Sequence, residues 1–500
     1  MKNRILLLGA CACGALFGCV DVDEQTAEKP FVYWKAASEA MPAETLSPEQ
    51  IKTDKILSAE DAKSAKPEKR FVRATDKIAA GEPLALVDLI DIALENNTST
   101  RTYWFQAKSY AASLGKANSA YYPQVSVSGS VYRARTKPSL GYGAGLPVGR
   151  YYETGFGPSA EINWLLCDFG KRGAAVESAR YALYAANFEY NRSIQEVVVN
   201  VNLAYCSLFG AMGNVESAKL AVEDAKSAFD SASEKFKSGV GNKPDMLNAL
   251  ANLRNAEFAL QQAGAGVETA RANLASVMGV KVGEKLAVSQ DIELPKLDAA
   301  DDSKIEQYIA SAMRSRPDLL ANYARLEKSK RDIDVAKRAF LPQISASAAA
   351  SYTDYSQHGR NAQDNMQVGV GITWSIFEGF SRKYDLISAK MSQRAAAQKL
   401  RQNQVQIMAD IWSCFYSYKS SLKQLSSAEA AVEANQEAYL ATKTGYENGV
   451  NSVNDFLNAQ TRLASARQQL VLAKTEVASS VAKLAYATGA LSAESLAEAK

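Results

Sequence analysis

The chain contains an internal duplication, which constrains its fold more than any other feature. Trp164 and Trp374 lie 210 residues apart, and the same offset holds without a gap as far as Gly279 and Gly489. Upstream of the tryptophans the offset is 219 residues, because the first copy carries nine additional residues between Pro123 and Trp164. A chance similarity would not keep its register over this length. The sequence therefore contains two copies of one structural unit.

Each copy contains two series of apolar residues spaced seven positions apart, separated by a glycine-containing break. Sustained seven-residue spacing predicts helices that pack as left-handed coiled coils. We therefore expect a helical hairpin at about 168–278 and another at about 378–488. The first helix of the first hairpin, Gly170 to Phe236, has 67 residues and would be about 100 Å long at ~1.5 Å per residue. The spaced residues are Val201, Leu208, Val215, Val222, Phe229, Phe236, Leu253, Leu260, Val267 and Leu274, then Ile411, Tyr418, Leu425, Val432, Tyr439, Tyr446, Leu463, Leu470, Val477 and Leu484.

Before each hairpin the apolar period changes from seven residues to two. Apolar residues alternate there with small or polar ones, which predicts β-strands at about 124–135 and 152–166, and at about 343–355 and 364–376. Each copy is thus predicted to be a helix, a β-hairpin and a long helical hairpin.

These elements set the boundaries of the predicted domains. The first copy occupies 84–279, a linker follows at 280–302, the second copy occupies 303–490, and a tail follows at 491–500.

The N-terminus has the pattern of a secretory signal peptide, predicted at 1–18. A basic start is followed by an apolar run from Ile5 to Leu16. The segment Leu16-Phe17-Gly18-Cys19 resembles the bacterial lipobox, which implies a lipid, including palmitate, on Cys19. Val20 permits sorting to the outer membrane. The alternative is a signal peptide that contains a cysteine without lipidation. The polar segment 19–83 is predicted to be a lipid-anchored tether.

Composition excludes several functions. The formal net charge is only +3, too small for an electrostatic nucleic-acid binder. His358 is the single histidine, which excludes multi-histidine metal sites. We find no phosphate-binding loop, and Cys167, Cys206 and Cys414 are isolated, as small buried residues would be. After the signal peptide no run of 18 apolar residues predicts a membrane-spanning helix. We therefore expect no enzymatic activity, no metal and no cofactor other than the covalent lipid.

Strands with one small-polar face have two explanations, a half-buried soluble sheet or a membrane-spanning sheet. The secretion signal and the strand lengths favour the membrane. Four strands cannot close a barrel, and an open edge is not tolerated in lipid, so other subunits must complete it. Two copies would give eight strands with a filled interior, and three would give twelve with a water-filled lumen. Aromatic residues also gather near the strand ends, at Tyr121, Tyr122, Tyr151, Tyr152, Trp164, Phe340, Tyr352, Tyr355, Trp374 and Phe377.

From Leu84 to Gly489 the sequence resembles the TolC family of outer-membrane efflux proteins. The duplication carries the resemblance, together with a proline before each first strand and a Trp-x-[Leu/Ile]-x-[Asp/Glu] segment before each long helix (Trp164 to Asp168, Trp374 to Glu378). The lipobox makes it similar to the lipidated branch. The resemblance implies a mixed membrane fold: a homotrimer with a twelve-stranded transmembrane β-barrel and a long α-helical coiled-coil barrel. It implies an outer-membrane duct that extends into the periplasm and contacts outer-membrane lipid.

The resemblance also implies partners and an aperture. The partners are a periplasmic adaptor and an inner-membrane pump, and the duct exports drugs, metals or polypeptides. In such ducts the helical tips close the periplasmic end, where aspartates ring the opening and a tyrosine and an arginine hold it shut. The matching residues are Asp455 and Tyr446, whereas the second aspartate position is Asn458 and the arginine position is Asn451. Asn458 and Asp245, the first-copy counterpart of Asp455, are further aperture candidates, and Asp245 could bond Tyr446. Near a helix start each aspartate has the alternative role of a cap, which is favoured for Asp245.

The tips are predicted to be tight interhelical turns, because glycine tolerates the backbone conformations that such turns require. The resemblance adds that this surface docks the adaptor. A competing interpretation of the whole chain is the adaptor lipoprotein itself, but an adaptor would contain one helical hairpin rather than two. The tip residues are Gly239, Val240, Gly241, Gly449 and Val450.

Overall fold

The computed structural model describes residues 25–35, 84–136, 151–283, 288, 304–356 and 361–490. The expected signal peptide, Cys19, His358 and the C-terminal tail lie outside the described residues, as do most of the tether and most of the linker.

The same order of elements occurs twice along the chain. Both copies have a helix of 67 residues followed by one of 36 residues, as the heptad spacing predicts. Each copy also begins with a short helix that the sequence analysis did not predict. The first copy has α1 (Leu86–Asn96), α2 (Thr98–Asn118), β1 (Gln124–Thr136), β2 (Tyr151–Cys167), α3 (Lys171–Lys237) and α4 (Lys243–Met278). The second has α5 (Lys304–Ser315), α6 (Pro317–Arg338), β3 (Gln343–Tyr355), β4 (Gln363–Thr373), α7 (Ser381–Glu447) and α8 (Val453–Thr488).

The chain divides into two compact units. One unit, here called the sheet unit, includes 108–185 and 323–399 and contains all four strands. The other, here called the helical unit, consists of 27–107, 186–322 and 400–500.

The sheet is antiparallel, with the strand order β1-β2-β3-β4. Its register aligns most of the apolar residues of the four strands on one face and most of the polar residues on the other. One row across the sheet joins Val125, Ile162, Ala348 and Val368. The predicted alternation therefore produces two chemically distinct faces. The adjacent row on the opposite face joins Ser126, Glu161, Ala349 and Gln367.

Several strand ends differ from the prediction by one to three residues. β4 ends at Thr373 and not at about 376, because its partner β3 begins at Gln343, opposite Thr373. Pro342 precedes Gln343 and has no N–H to extend the hydrogen-bond ladder. The indole of Trp374 instead donates a hydrogen bond to the carbonyl of Phe340 at 3.0 Å. β2 is one residue longer than predicted at each end.

An arginine fixes each junction between a strand and a long helix. Arg172 donates to backbone oxygens of the preceding segments, and its Nε lies 3.3 Å from Asp168 Oδ2. Arg382, its counterpart in the second copy, makes equivalent backbone bonds and lies 3.2 Å from Glu378. The duplication is therefore preserved at the level of individual contacts. Asp168 and Glu378 take part in these junction contacts, so α3 and α7 begin three residues after them, at Lys171 and Ser381.

The helical unit is held together by the heptad residues. Of the spaced positions named above, only Phe236 is exposed, with 40% of its surface accessible. One cluster surrounds Leu208 and Leu274, and another contains Phe415, Tyr418 and Val477. Burial of such side chains, at about 1.5–3 kcal/mol each, stabilises the unit.

Part of the predicted tether packs specifically against the helical unit. The amide and carbonyl of Trp34 each bond the Asn191 side chain at 2.8 Å, and its ring meets Phe188 edge-on at 5.3 Å. The hydroxyl of Tyr190 donates to the carbonyl of Val32 at 2.7 Å. The described residues 27–35 are therefore docked on α3.

Two further sequence expectations concern cysteines and membrane helices. Cys206 is buried, as expected, whereas Cys167 and Cys414 are only half-buried. By length and composition alone, one helix among the described residues, α3, has a window apolar enough to cross a membrane. Half of that window is buried within the protein.

Candidate periplasmic aperture and latch

The tips of both helical hairpins turn at a glycine. Gly239 and Gly449 have φ values of 76° and 75°, in the left-handed region that favours glycine. The amide of Val240 donates to the carbonyl of Lys235 at 3.0 Å, and that of Val450 to Gly445 at 2.7 Å. The predicted role of Gly239 and Gly449 as turn formers is confirmed. The side chains of the two tip valines project outward, 82% and 81% exposed.

Both aspartates proposed for the aperture lie in the first turn of a helix. Asp455 is exposed and forms a reciprocal cap with Ser452: its amide bonds the Ser452 hydroxyl at 3.2 Å, and its carboxylate accepts the Ser452 amide at 3.2 Å. Asp245 does not cap α4, contrary to expectation. Asn242 does so, because its side-chain oxygen accepts the amide of Asp245 at 3.0 Å. Asn458 is exposed one turn after Asp455.

Tyr446 lies at the centre of contacts between the two hairpins. Its ring stacks on Phe456 with centroids 5.5 Å apart, and the Lys235 ammonium lies 3.8 Å from its centroid. Lys235 also donates a hydrogen bond to the Tyr446 carbonyl. Burial, and secondarily the charge of Asp245, raises the pKa of Tyr446. No hydrogen bond joins the Tyr446 and Asp245 side chains among the described residues. Asn451 stands at the position where the resemblance implies an arginine. Lys235 instead supplies the positive charge beside Tyr446.

A second network, which the sequence analysis missed, connects the same helices. The Asp224 carboxylate of α3 accepts a bond from the Tyr439 hydroxyl of α7 at 3.1 Å and one from Arg467 of α8 at 3.1 Å. Arg467 also donates to Gln436 at 3.0 Å. Burial, followed by the charge of Asp224, raises the pKa of Tyr439, so its hydroxyl remains a donor. Asp224 therefore joins α3 of the first copy to α7 and α8, the two helices of the second hairpin.

A difference between the copies could have revealed this network. The residues that correspond to Asp224, Tyr439 and Arg467 in the other copy are Ala434, Phe229 and Glu257. None of these three can reproduce the contact. A difference in residue type at a position where the two copies otherwise match is thus the sequence signal for such a contact. We call Lys235, Tyr446, Asp224, Tyr439 and Arg467 the latch.

Comparison with known proteins identifies the family. The sequence profile described as outer membrane efflux protein matches residues 89–280 and 308–490, one segment in each copy. This chain belongs to the outer membrane efflux protein family. The members of this TolC-type family are outer-membrane efflux channels and not enzymes. They are trimers that work with periplasmic adaptors and inner-membrane pumps. Membership excludes the adaptor and enzyme interpretations.

Individual relatives cover most of this efflux protein. Protein CyaE of Bordetella pertussis is 27% identical over 430 residues, which cover 82% of this chain and 85% of CyaE. The outer membrane efflux protein BepC of Brucella suis is 24% identical over 388 residues, covering 76% and 80%. The CmeC outer membrane channel of Campylobacter jejuni has a TM-score of 0.70 at 21% identity, covering 85% of this chain and 90% of CmeC. The fold is therefore that of the TolC-type channels.

Proposed function

We propose that three copies of this chain form one duct, with a closed β-barrel in the outer membrane and a helical tube in the periplasm. The observation that carries this proposal is the sheet. Its apolar face is exposed, and in the described part of the chain β1 and β4 each pair on one side only. Since an unpaired edge is not tolerated in lipid, β1 of one copy pairs with β4 of the next. Three copies supply twelve strands, enough to enclose a water-filled lumen.

The dimensions of the apolar face support the membrane location. Along β2, Trp164 and Tyr152 are twelve residues apart and both are exposed. Twelve residues span about 40 Å along a strand and about 30 Å vertically at a tilt of ~40°, which places the two aromatic residues just beyond the two edges of an outer-membrane apolar band ~25 Å tall. Exposed apolar residues between these levels include Val127 at 76%, Met366 at 78% and Val368 at 71%.

The opposite face supports an aqueous lumen. The hydroxyls of Ser128 and Ser159 lie 2.8 Å apart across the β1–β2 pair, and Asn163 donates to Glu161 at 2.7 Å. Small hydroxyl and amide side chains satisfy one another there without filling the interior. A barrel lined in this way admits hydrated cargo.

Two partners complete the pathway. A periplasmic adaptor docks on the hairpin tips, where Gly239, Val240, Gly449 and Val450 are exposed and Gly241 is half-buried. An inner-membrane pump delivers the cargo. The chemical class of the cargo (drug, metal or polypeptide) is set mainly by the pump.

Trimer formation and ion conduction test this proposal directly. The full-length protein, purified in mild detergent, is expected to have three times the mass of one chain and to conduct ions in planar lipid bilayers. A monomer that conducts no ions would refute the duct.

We further propose that the latch holds the periplasmic end closed. Lys235 and Asp224 both lie on α3, and their partners lie on α7 and α8. The α3–α4 and α7–α8 hairpins cannot separate at this level without breaking these bonds. Opening therefore requires loss of the contacts around Tyr446 and Asp224.

Asp455 is proposed to line the aperture, so its charge is expected to control cation block. Asp455→Asn removes three like charges per trimer but keeps an oxygen that can accept the Ser452 amide, so the helix cap is retained. We expect block by a trivalent cation, measured on single channels, to weaken by at least about tenfold. Asn458→Asp, which adds a second ring of carboxylates, is expected to strengthen it. Unchanged block in both variants would remove these positions from the aperture.

Cys19 is proposed to carry the lipid that anchors the chain to the outer membrane. Cys19→Ser is expected to abolish incorporation of radiolabelled palmitate, because serine does not provide the thiol that forms the thioether. Cys13→Ser, within the signal peptide, is the matched control and is expected to leave incorporation unchanged. Labelling of the Cys19 variant at the normal level would contradict lipidation at this residue.

A further inference from the structure

The apolar face of the sheet ends in two arginines. On β1 the outward positions are Val125, Val127, Gly129 and Val131, and the next two in the same alternation are Arg133 and Arg135. Both guanidinium groups belong to exposed residues. They lie at the end of the strand that is remote from the helix junctions.

Tyr152 of β2 lies beside these arginines on the same face of the sheet. Arg135 lies directly opposite Tyr152 in the register, and the Arg133 guanidinium lies 5.3 Å from the centroid of the Tyr152 ring. Cation–π contact of this kind positions an arginine while leaving its N–H groups available. The Cα atoms of the two arginines are about 7 Å apart, the spacing of alternate residues on a strand.

No carboxylate of the described residues forms an ion pair with either arginine. The acidic residues of the same face and the same end are Asp354 and Asp364, on β3 and β4. They are two and three strands away, or about 10 and 14 Å at ~4.8 Å per strand. Among the described residues of one chain the arginine pair therefore has no carboxylate counter-ion.

The position of the pair identifies the kind of anion. From Gln124, at the start of β1, to Arg133 is nine residues, or about 30 Å along the strand and about 23 Å vertically, close to the ~25 Å height of an outer-membrane apolar band. If the helices are periplasmic, as the proposed function requires, this boundary is the outer leaflet. Planar guanidinium groups bind phosphate through paired N–H bonds.

We propose that Arg133, Arg135 and Tyr152 form a binding site for the phosphate groups of outer-leaflet lipids. The inference rests on the proposed membrane location of the sheet. The apolar band holds the acyl chains, and the arginine pair holds the phosphorylated headgroup at its upper boundary. Each subunit contributes one such site, so a trimer has three.

Binding of a phosphorylated lipid to the intact trimer tests this site. Full-length protein in non-ionic detergent is titrated with diphosphoryl lipid A, and occupancy is read by native mass spectrometry. Removing both charges with R133Q/R135Q is expected to weaken binding about thirtyfold, and fully dephosphorylated lipid A is expected to bind the unaltered protein equally weakly. The matched control R254Q/R462Q removes two exposed arginines from the helices and is expected to bind normally.

Three results would overturn the site. One is unchanged lipid A binding by R133Q/R135Q. Another is displacement of the lipid by inorganic phosphate at equal concentration, which would indicate a site for the free anion. The third is loss of trimer stability, with unchanged lipid binding, in both R133Q/R135Q and D364N, which would indicate an ion pair between subunits. Single-channel conductance of R133Q/R135Q separates this question from the duct itself: a conducting variant retains the proposed function whatever its lipid affinity.

Discussion

Asp224→Ala is expected to open the periplasmic end of the channel. The substitution removes the acceptor shared by Tyr439 and Arg467 and leaves the Arg467 cation, whose side chain is only 19% exposed, without its carboxylate partner. Loss of charged hydrogen bonds at a partly buried pair costs about 2 kcal/mol in each subunit. Three subunits give about 6 kcal/mol, enough to convert a two-state equilibrium from about 99% closed to about 99% open. Single-channel conductance in planar bilayers is expected to rise to that of the open pore.

Matched variants separate this effect from a general loss of charge. Asp230→Ala removes an exposed carboxylate six residues further along α3 and is expected to leave conductance unchanged. Tyr439→Phe removes only the hydroxyl that donates to Asp224 and is expected to produce an intermediate increase. Normal trimers of Asp224→Ala that conduct like the unaltered protein would show that the latch does not hold the channel closed.

The long helices could be predicted from sequence because the heptad spacing leaves no alternative packing. Residues such as Leu208, Leu274, Tyr418 and Leu463 recur at a period that only helices can bury on one side. The strand ends were less predictable. β4 continues the alternating pattern through Trp374 and Ile376, but a strand also needs a partner, and β3 begins only after Pro342. The period of apolar residues predicts which side chains are buried. It does not predict where the backbone hydrogen bonds between two strands stop.

The candidate site was predictable only in part. The turns at Gly239 and Gly449 could be predicted from the local sequence, because glycine is favoured where φ is positive. The contact of Asp224 with Arg467 joins residues that are 243 positions apart, and no local pattern encodes it. The role of Asp455 could not be predicted from sequence either. An aspartate in the first turn of a helix is expected both for a cap and for a charge that lines the aperture.

Val368→Arg is expected to abolish assembly in the outer membrane, whereas Gln367→Arg, one residue earlier, is expected to permit it. Both positions are exposed in β4, but the register places Val368 on the apolar face and Gln367 on the polar face. A lipid-facing arginine near the middle of the membrane costs about 2–4 kcal/mol, and three of them cost about 6–12 kcal/mol. That range covers most of the ~5–15 kcal/mol that stabilises a typical folded protein.

The amount of trimer in the outer-membrane fraction, measured by immunoblotting of unboiled samples, distinguishes the two faces. Gln367→Arg adds three cations to the lumen, so its trimers are expected to assemble and to conduct cations less well than the unaltered protein. A sheet with water on both faces would make no such distinction, because both side chains are exposed in the single chain. Equal assembly of the two variants would therefore exclude the lipid-facing band. Opposite outcomes from adjacent residues require the period-two geometry of a strand with lipid on one side and water on the other.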